Sequence, residues 1–227
     1  MRRWHLWMGW IAGIPLLLWV VSGLVMVSRP IAETRSESAL RPAEPVRPQA
    51  LVAPVLVRKD VASVTLSSPP GGPRWRIGYA DGSARAADAL TGQNIPRIAP
   101  AAAVEAALAR YTGTAKVESV SFVERTNRPR EFGRPVDAWR VRLDDGLHLY
   151  VDAWSGDVLV ARSRWWRIYD FFWGLHIMDL QGRDNPNNPW VVTFVAIAFA
   201  TMIVALILLP GATRRMLRSG AKTQQGE

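Results

Sequence analysis

Two uninterrupted apolar runs lie at opposite ends of the chain. From Trp4 to Val27 the only ionisable side chain is His5, and from Trp190 to Leu209 there is none. At ~1.5 Å per residue, either run crosses a hydrocarbon layer of ~30 Å with some tilt. Both are therefore read as transmembrane helices. Asn188 and Pro189 supply an N-cap and a first-turn residue for the second run, and Pro210-Gly211 is expected to end it. The first run follows Arg2 and Arg3, as the apolar core of a signal peptide would. It is longer than such a core, Trp4, Trp7 and Trp10 crowd its front, and no small-x-small cleavage site follows at Val27-Ser28-Arg29, so it reads as an uncleaved anchor.

Between the runs the pattern changes to short alternations and turn signals. Val61 to Ser67 has strand character. RWRIGYADGSARAADALTG alternates around Asp81-Gly82, a hairpin signal. PAAAVEAALARY, residues 100–111, places Val104, Ala107, Leu108 and Tyr111 at helical spacing. KVESVSFVER alternates imperfectly. In DAWRVRLDDGLHLYVDAWSGDVLVA, Trp139, Val141 and Leu143 share a face before Asp145-Gly146. Leu147, Leu149 and Val151 share one before Ser155-Gly156. YADGSARAADALTGQNI and LDDGLHLYVDAWSGDVL share an order of Asp-Gly turn, strand, Asp and Thr/Ser-Gly turn, which reads as two tandem copies of one module, the first without an obvious helix. SRWWRIYDFFWGLHIMDLQG alternates Arg164, Arg167 and Asp170 with aromatic positions, the pattern of an amphipathic helix at a membrane interface. The expected organisation is residues 1–28 as the first span, 29–50 as a Pro-rich linker, 51–98 and 99–162 as the two modules, 163–182 as the interfacial aromatic helix, 188–210 as the second span and 211–227 as a basic tail.

The net charge of +9 comes mainly from arginine. With two apolar spans and no RNA-binding motif, it points to anionic lipid head groups and not to nucleic acid. Arg214, Arg215, Arg218 and Lys222 after the second span mark that side as cytoplasmic, and Arg2 and Arg3 agree. Both termini are then expected in the cytoplasm, with the region between the spans periplasmic or otherwise extracytoplasmic and the chain in the cytoplasmic (inner) membrane. The absence of cysteine excludes disulfides and thiolate metal sites on this chain. There is no P-loop, dinucleotide Gly motif, nucleophile elbow or HExxH, and no catalytic set emerges.

Three residue groups carry candidate chemistry. His5 sits inside the first span, where ionisable groups are costly. Gly9 and Gly13 follow at i+4 and i+8, which clears space on its face of the helix. That space suits either the face of a b-type haem with His5 as axial ligand or close helix packing through Gly9-x-x-x-Gly13. His176, on the aromatic side of the interfacial helix, suits an iron ligand or an ordinary interfacial residue. His148 alternates with Leu147 and Leu149 and is expected to be exposed on a strand.

The chain resembles a known family at three places. YVDAWSGDVL is similar to the end of a PepSY domain. RRWHLWMGWIAG resembles the start of PepSY-associated transmembrane proteins, and WGLHIMDLQGRD resembles their Leu-His element. Many members have four or more spans, so this chain resembles half of one. The resemblance implies an α+β membrane protein, with two transmembrane helices flanking an extracytoplasmic PepSY-like α+β region plus an interfacial amphipathic helix. Some relatives are haem-bearing reductases of ferric siderophores. This implies haem b, with His5 and His176 as candidate axial ligands and Gly9 and Gly13 as porphyrin clearance. His5 and His176 lie toward opposite membrane faces, so one iron cannot take both. Bis-His ligation then requires a homodimer or larger complex, with a redox partner to exchange electrons. PepSY modules are also linked to peptidase inhibition, which implies the alternative of a non-enzymatic module that binds a periplasmic protein.

Overall fold

The structure, a computed structural model, describes residues 2–43, 45–46 and 50–224; side chains at 2–6, 8 and 212–224 lie outside the description. The helices are α1 (Arg2–Val27), α2 (Ile31–Thr34), α3 (Pro100–Arg110), α4 (Arg164–His176) and α5 (Pro189–Gln224). The strands are β1 (Val61–Ser67), β2 (Arg74–Tyr79), β3 (Ala84–Asp88), β4 (Asn94–Ile95), β5 (Val117–Val123), β6 (Ala138–Leu143), β7 (His148–Asp152) and β8 (Val158–Arg162). They form two antiparallel meanders, β1-β2-β3-β4 and β5-β6-β7-β8. The chain divides into two units, Met1–Arg29 with Tyr169–Glu227, and Pro30–Ile168.

Pro30–Ile168 contains both sheets, and they repeat one another. Gly82 and Gly146 close equivalent turns with φ of 78° and 84°, and Gly92 and Gly156 do so with 74° and 81°. These are backbone angles that glycine adopts without Cβ strain. Asp88 Oδ1 accepts the N–H groups of Leu90 and Thr91 at 2.8 and 2.9 Å, and Asp152 Oδ1 accepts those of Trp154 and Ser155 at 2.8 Å each. The aspartate of each Asp-x-x-Thr/Ser-Gly turn thus bonds its own backbone. The Trp75 indole donates to the Val52 carbonyl at 2.8 Å, and the Trp139 indole to the Ile98 carbonyl at 3.0 Å. Val52 N–H donates to Ala89 O, as Ile98 N–H does to Ala153 O. The strands VASVTLS and VESVSFV match position by position, and each pairing has its irregularity after the first residue. That bulge accounts for the imperfect alternation of β5.

The copies differ in what covers their sheets. From Ile98 to Val117 the chain is ten residues longer than from Val52 to Val61, about the length of α3. α3 is therefore the helix that the first copy lacks. It buries Ala103, Ala106 and Ala107 against Val141, Leu143, Leu149 and Val151. The periodicity put Leu108 on this face, but Leu108 is exposed. Alanines occupy the contact, because small side chains let the helix lie close to the sheet. In the first copy the extended segment before β1 is bonded to the sheet, the Trp75 indole and Arg85 donating to the Val52 and Val55 carbonyls and Arg58 lying over the Tyr79 ring. In the stretch expected as a linker, Leu40 bridges to Tyr111, and Arg41 N–H donates to the Arg110 carbonyl at 2.7 Å.

The other face of the second sheet is covered by the long β5–β6 connection. Phe132 stacks on Tyr150 with ring centroids 4.5 Å apart. Glu131 Oε1 lies 2.5 Å from His148 Nδ1 and accepts the Tyr150 hydroxyl at 2.6 Å, while Oε2 accepts Arg167 at 3.3 Å. His148 is thus not an exposed strand residue, and its side chain is 15% accessible. Alternation assigned it to the face away from α3 but carried no sign that this face is also covered. Between the sheets, Arg76 Nε donates to the buried Asp152 Oδ2 at 2.8 Å, and Ser67 Oγ donates to Asp157 at 2.5 Å.

In the other unit, α5 begins at Pro189, with Asn188 Oδ1 accepting the N–H groups of Trp190 and Val191 at 3.0 and 3.1 Å. The helix does not end at Pro210-Gly211, although the apolar span does. Proline removes one i→i−4 bond, here that to Leu206, and the flanking turns carry the helix past it.

Burial pushes the Glu131 carboxyl up, but the hydrogen bonds from His148 and Tyr150 and the positive charge of Arg167 outweigh it and hold the pKa at about 2, below the ordinary 4.5. A depressed carboxylate stabilises the fold fully above its unfolded value and loses that contribution as pH falls from 4.5 toward 2. The contribution is roughly 3 kcal/mol. Glu131→Gln is expected to lower the unfolding midpoint at neutral pH and to flatten its acid dependence between pH 5 and 2 (about the two pKa values), read by thermal unfolding of the full chain.

Candidate functional site

The site lies within the unit formed by Met1–Arg29 and Tyr169–Glu227, where α4 stops against α1. Ser163 caps the start of α4, its Oγ accepting Trp166 N–H at 3.1 Å. The end is set by backbone geometry. Asp179 N–H donates to Gly174 O and Met178 N–H to Leu175 O, the paired bonds of a Schellman stop. Met178 takes the left-handed position with φ of 53°, where glycine is usual, so no sequence signal marked this ending. The following loop folds back on the helix. Arg183 pairs with Asp170, the Trp173 indole donates to the Arg183 carbonyl at 2.9 Å, and the Arg183 stem lies where a Cβ on Gly174 would sit. Asn188 Nδ2 donates to Ile177 O at 2.7 Å, tying the start of α5 to the end of α4.

This stop makes His176 the last helical residue and sets its ring on α1. The imidazole stacks on Trp19 with centroids 4.7 Å apart and planes 17° from parallel. Its Nδ1 is 3.0 Å from Ser22 Oγ and 3.2 Å from the Trp19 carbonyl. Ser22 Oγ donates to that same carbonyl at 2.8 Å. A carbonyl only accepts and the serine proton is already committed, so the network assigns a proton to Nδ1. In the neutral ring Nε2 then carries the lone pair, the tautomer in which histidine binds a metal through Nε2 while Nδ1–H is held by a backbone carbonyl. Ser22 is fully buried. A Cβ on Gly23 would come within 3.3 Å of His176 Cε1, so this glycine permits the contact.

The other expected residues fall elsewhere. Gly9 and Gly13 line an apolar groove of about 520 Å³ between α1 and α5, with Ala12 and Leu16 on one wall and Ala198 and Met202 on the other. Among the described residues, an added Cβ on Gly9 or Gly13 meets nothing within 4 Å, so these glycines make no close helix contact there. The His5 side chain lies outside the described residues. Its backbone is 17 residues before Ser22 on α1, roughly 26 Å at the helical rise. The structure therefore does not bring His5 and His176 together. Among the described residues, no group of three or more His, Asp and Glu gathers as a metal cluster. Trp19, Ser22 and Gly23 escaped the sequence reading, although Ser22 is the one hydroxyl in the first apolar run.

Two apolar helices, with an α+β region of two antiparallel sheets between them, define a membrane-associated protein with a folded polar insert. The family model described as the PepSY-associated TM region matches residues 2–226, and the chain belongs to that family. No curated protein and no solved structure shows a significant match to it.

The glycines give a direct contrast. Gly23→Leu is expected to displace His176 and destabilise the protein by about 1–3 kcal/mol through overpacking. Gly9→Leu, which enters open space, is expected to leave the unfolding midpoint of detergent-solubilised monomer near that of the wild type.

Proposed function

We propose that the chain is a haem-linked redox component of the cytoplasmic (inner) membrane, acting in electron transfer across it, with ferric-siderophore-type iron as an acceptor class. The observation that supports this reading is the His176 tautomer. Nδ1–H is bonded to the Trp19 carbonyl and Ser22 within the apolar unit, and Nε2 keeps its lone pair. The residues fit a b-type haem in two respects, an imidazole ready to ligate and an apolar groove lined by Gly9 and Gly13. A bound haem would supply one-electron chemistry. The chain's own residues hold the ligand imidazole in place. Ser22 and Trp19 orient the imidazole, and the Trp19 ring limits its rotation.

His5, toward the other end of α1, is the second candidate ligand. The separation of the two along one helix favours two haem levels, each completed by a second copy in a homodimer. Arg2, Arg3, Arg214, Arg215, Arg218 and Lys222, which flank the spans on the side of the termini, support cytoplasmic termini and a periplasmic central region.

An optical spectrum of the purified full chain from haem-replete cells tests the reading. Reduced b-type Soret and α bands are expected. His176→Gln keeps a donor for the Trp19 carbonyl but offers no iron ligand; it is expected to lose part of the α band while its unfolding midpoint stays within a few degrees. His5→Ala is expected to lose a separate part. A colourless, folded wild-type preparation would reject the redox reading and leave the non-enzymatic reading, a PepSY module that binds a periplasmic protein such as a peptidase.

A further inference from the structure

The repeat makes β5 an internal reference for β1. In the second copy α3 packs over β5, and Val120 is drawn into the core beneath it. The first copy has no such helix. Its extended covering segment reaches the residues of β2 and β3, and Ala62, Ser63, Val64 and Thr65 of β1 are all exposed. Val64, the counterpart of Val120, is 40% accessible. Among the described residues β1 is also an edge strand, paired only with β2. Exposed sheet edges are normally protected by charge, proline or cover, because their free N–H and C=O groups accept another strand. VASVTLS has no charge and no proline; its bulge lies at Ala62 and its buried Ser67 end is bonded to Asp157, which leaves Ser63 to Thr65 as the open stretch. Its counterpart β5 carries Glu118, paired with Arg142.

The pattern of β1 is compatible with itself. In an antiparallel pair of two β1 strands related by a two-fold axis through Val64, Val64 opposes Val64 and Ser63 opposes Thr65, with Leu66 reaching the bulged Ala62 at the end of the pairing. Apolar residues meet apolar residues and hydroxyls meet hydroxyls, the pairings that stabilise antiparallel strands. Centring the axis between Ser63 and Val64 would oppose hydroxyl to valine. No like charges meet in the Val64 register.

We propose that β1 is a homodimerisation edge, on which β1 of a second copy of this chain adds antiparallel, centred on Val64, joining two four-stranded sheets into one of eight. The contact is isologous, as a two-fold interface must be. It would hold two chains together outside their apolar helices, and it stands whether or not the chain binds haem.

The chain has no cysteine, so one introduced thiol reports the register. Opposed residues in an antiparallel pair have Cα atoms about 4.5–5.5 Å apart, within disulfide reach. Val64→Cys in the full chain, reconstituted in phosphatidylcholine vesicles and oxidised with copper phenanthroline, is expected to give a covalent dimer. Ser63→Cys and Thr65→Cys are expected to stay largely monomeric when alone and to cross-link to each other when mixed. Val64→Lys, an exposed change that leaves the fold intact, is expected to abolish dimer formation on oxidation when combined with Ser63→Cys and Thr65→Cys chains. The proposal is overturned by monomeric Val64→Cys protein, or by equal cross-linking through Ser119→Cys on β5. The haem spectrum is read separately, so failure of either idea is distinguishable.

Discussion

A polar group inside an apolar helix pair has no water to turn to, so the protein itself must satisfy it. This constraint organises the unit built from the two ends of the chain. Ser22 is fully buried in α1, and its hydroxyl is bonded to the Trp19 carbonyl and to His176. The buried amide of Asn188 reaches Ile177 and caps α5. Both bonds converge on the end of α4, which can stop there because Met178 accepts a left-handed backbone. The tautomer of His176 follows from the same rule. Its Nδ1 proton goes where the acceptors are, and the chemistry left to the ring is that of Nε2.

Between the apolar ends, a different requirement shapes the fold. Each antiparallel sheet has two faces and two edges to cover. The second copy of the module covers its faces with α3 and with the segment that carries Glu131 and Phe132. The first copy has neither insertion and uses an extended segment, which is narrower than a helix. The exposed β1 is the consequence. A ten-residue difference between two copies of a module thus changes the surface that one of them presents.

Much of this was legible along the chain. The two apolar runs, the Asn188-Pro189 start, the Asp-Gly turns, and the faces containing Val141 and Leu149 all appear where local pattern placed them. These features depend on period and turn chemistry, which act over a few residues. The repeat was visible in its turns but not in its strands, because VASVTLS and VESVSFV differ in charge and match only once the register is known. His148 was misread because alternation assigns a side to a residue and does not say what packs there.

By itself, the sequence determined the membrane class, the α+β character of the middle region and the residue types available for chemistry. These follow from hydrophobic content and from turn-forming residues, both local properties. Only the tertiary structure decided that His176 meets Trp19, Ser22 and Gly23, and that Gly9 and Gly13 border open space. Such contacts join residues more than 150 positions apart. They are selected by which polar groups find partners when the helices pack, and no periodicity within either segment records that choice.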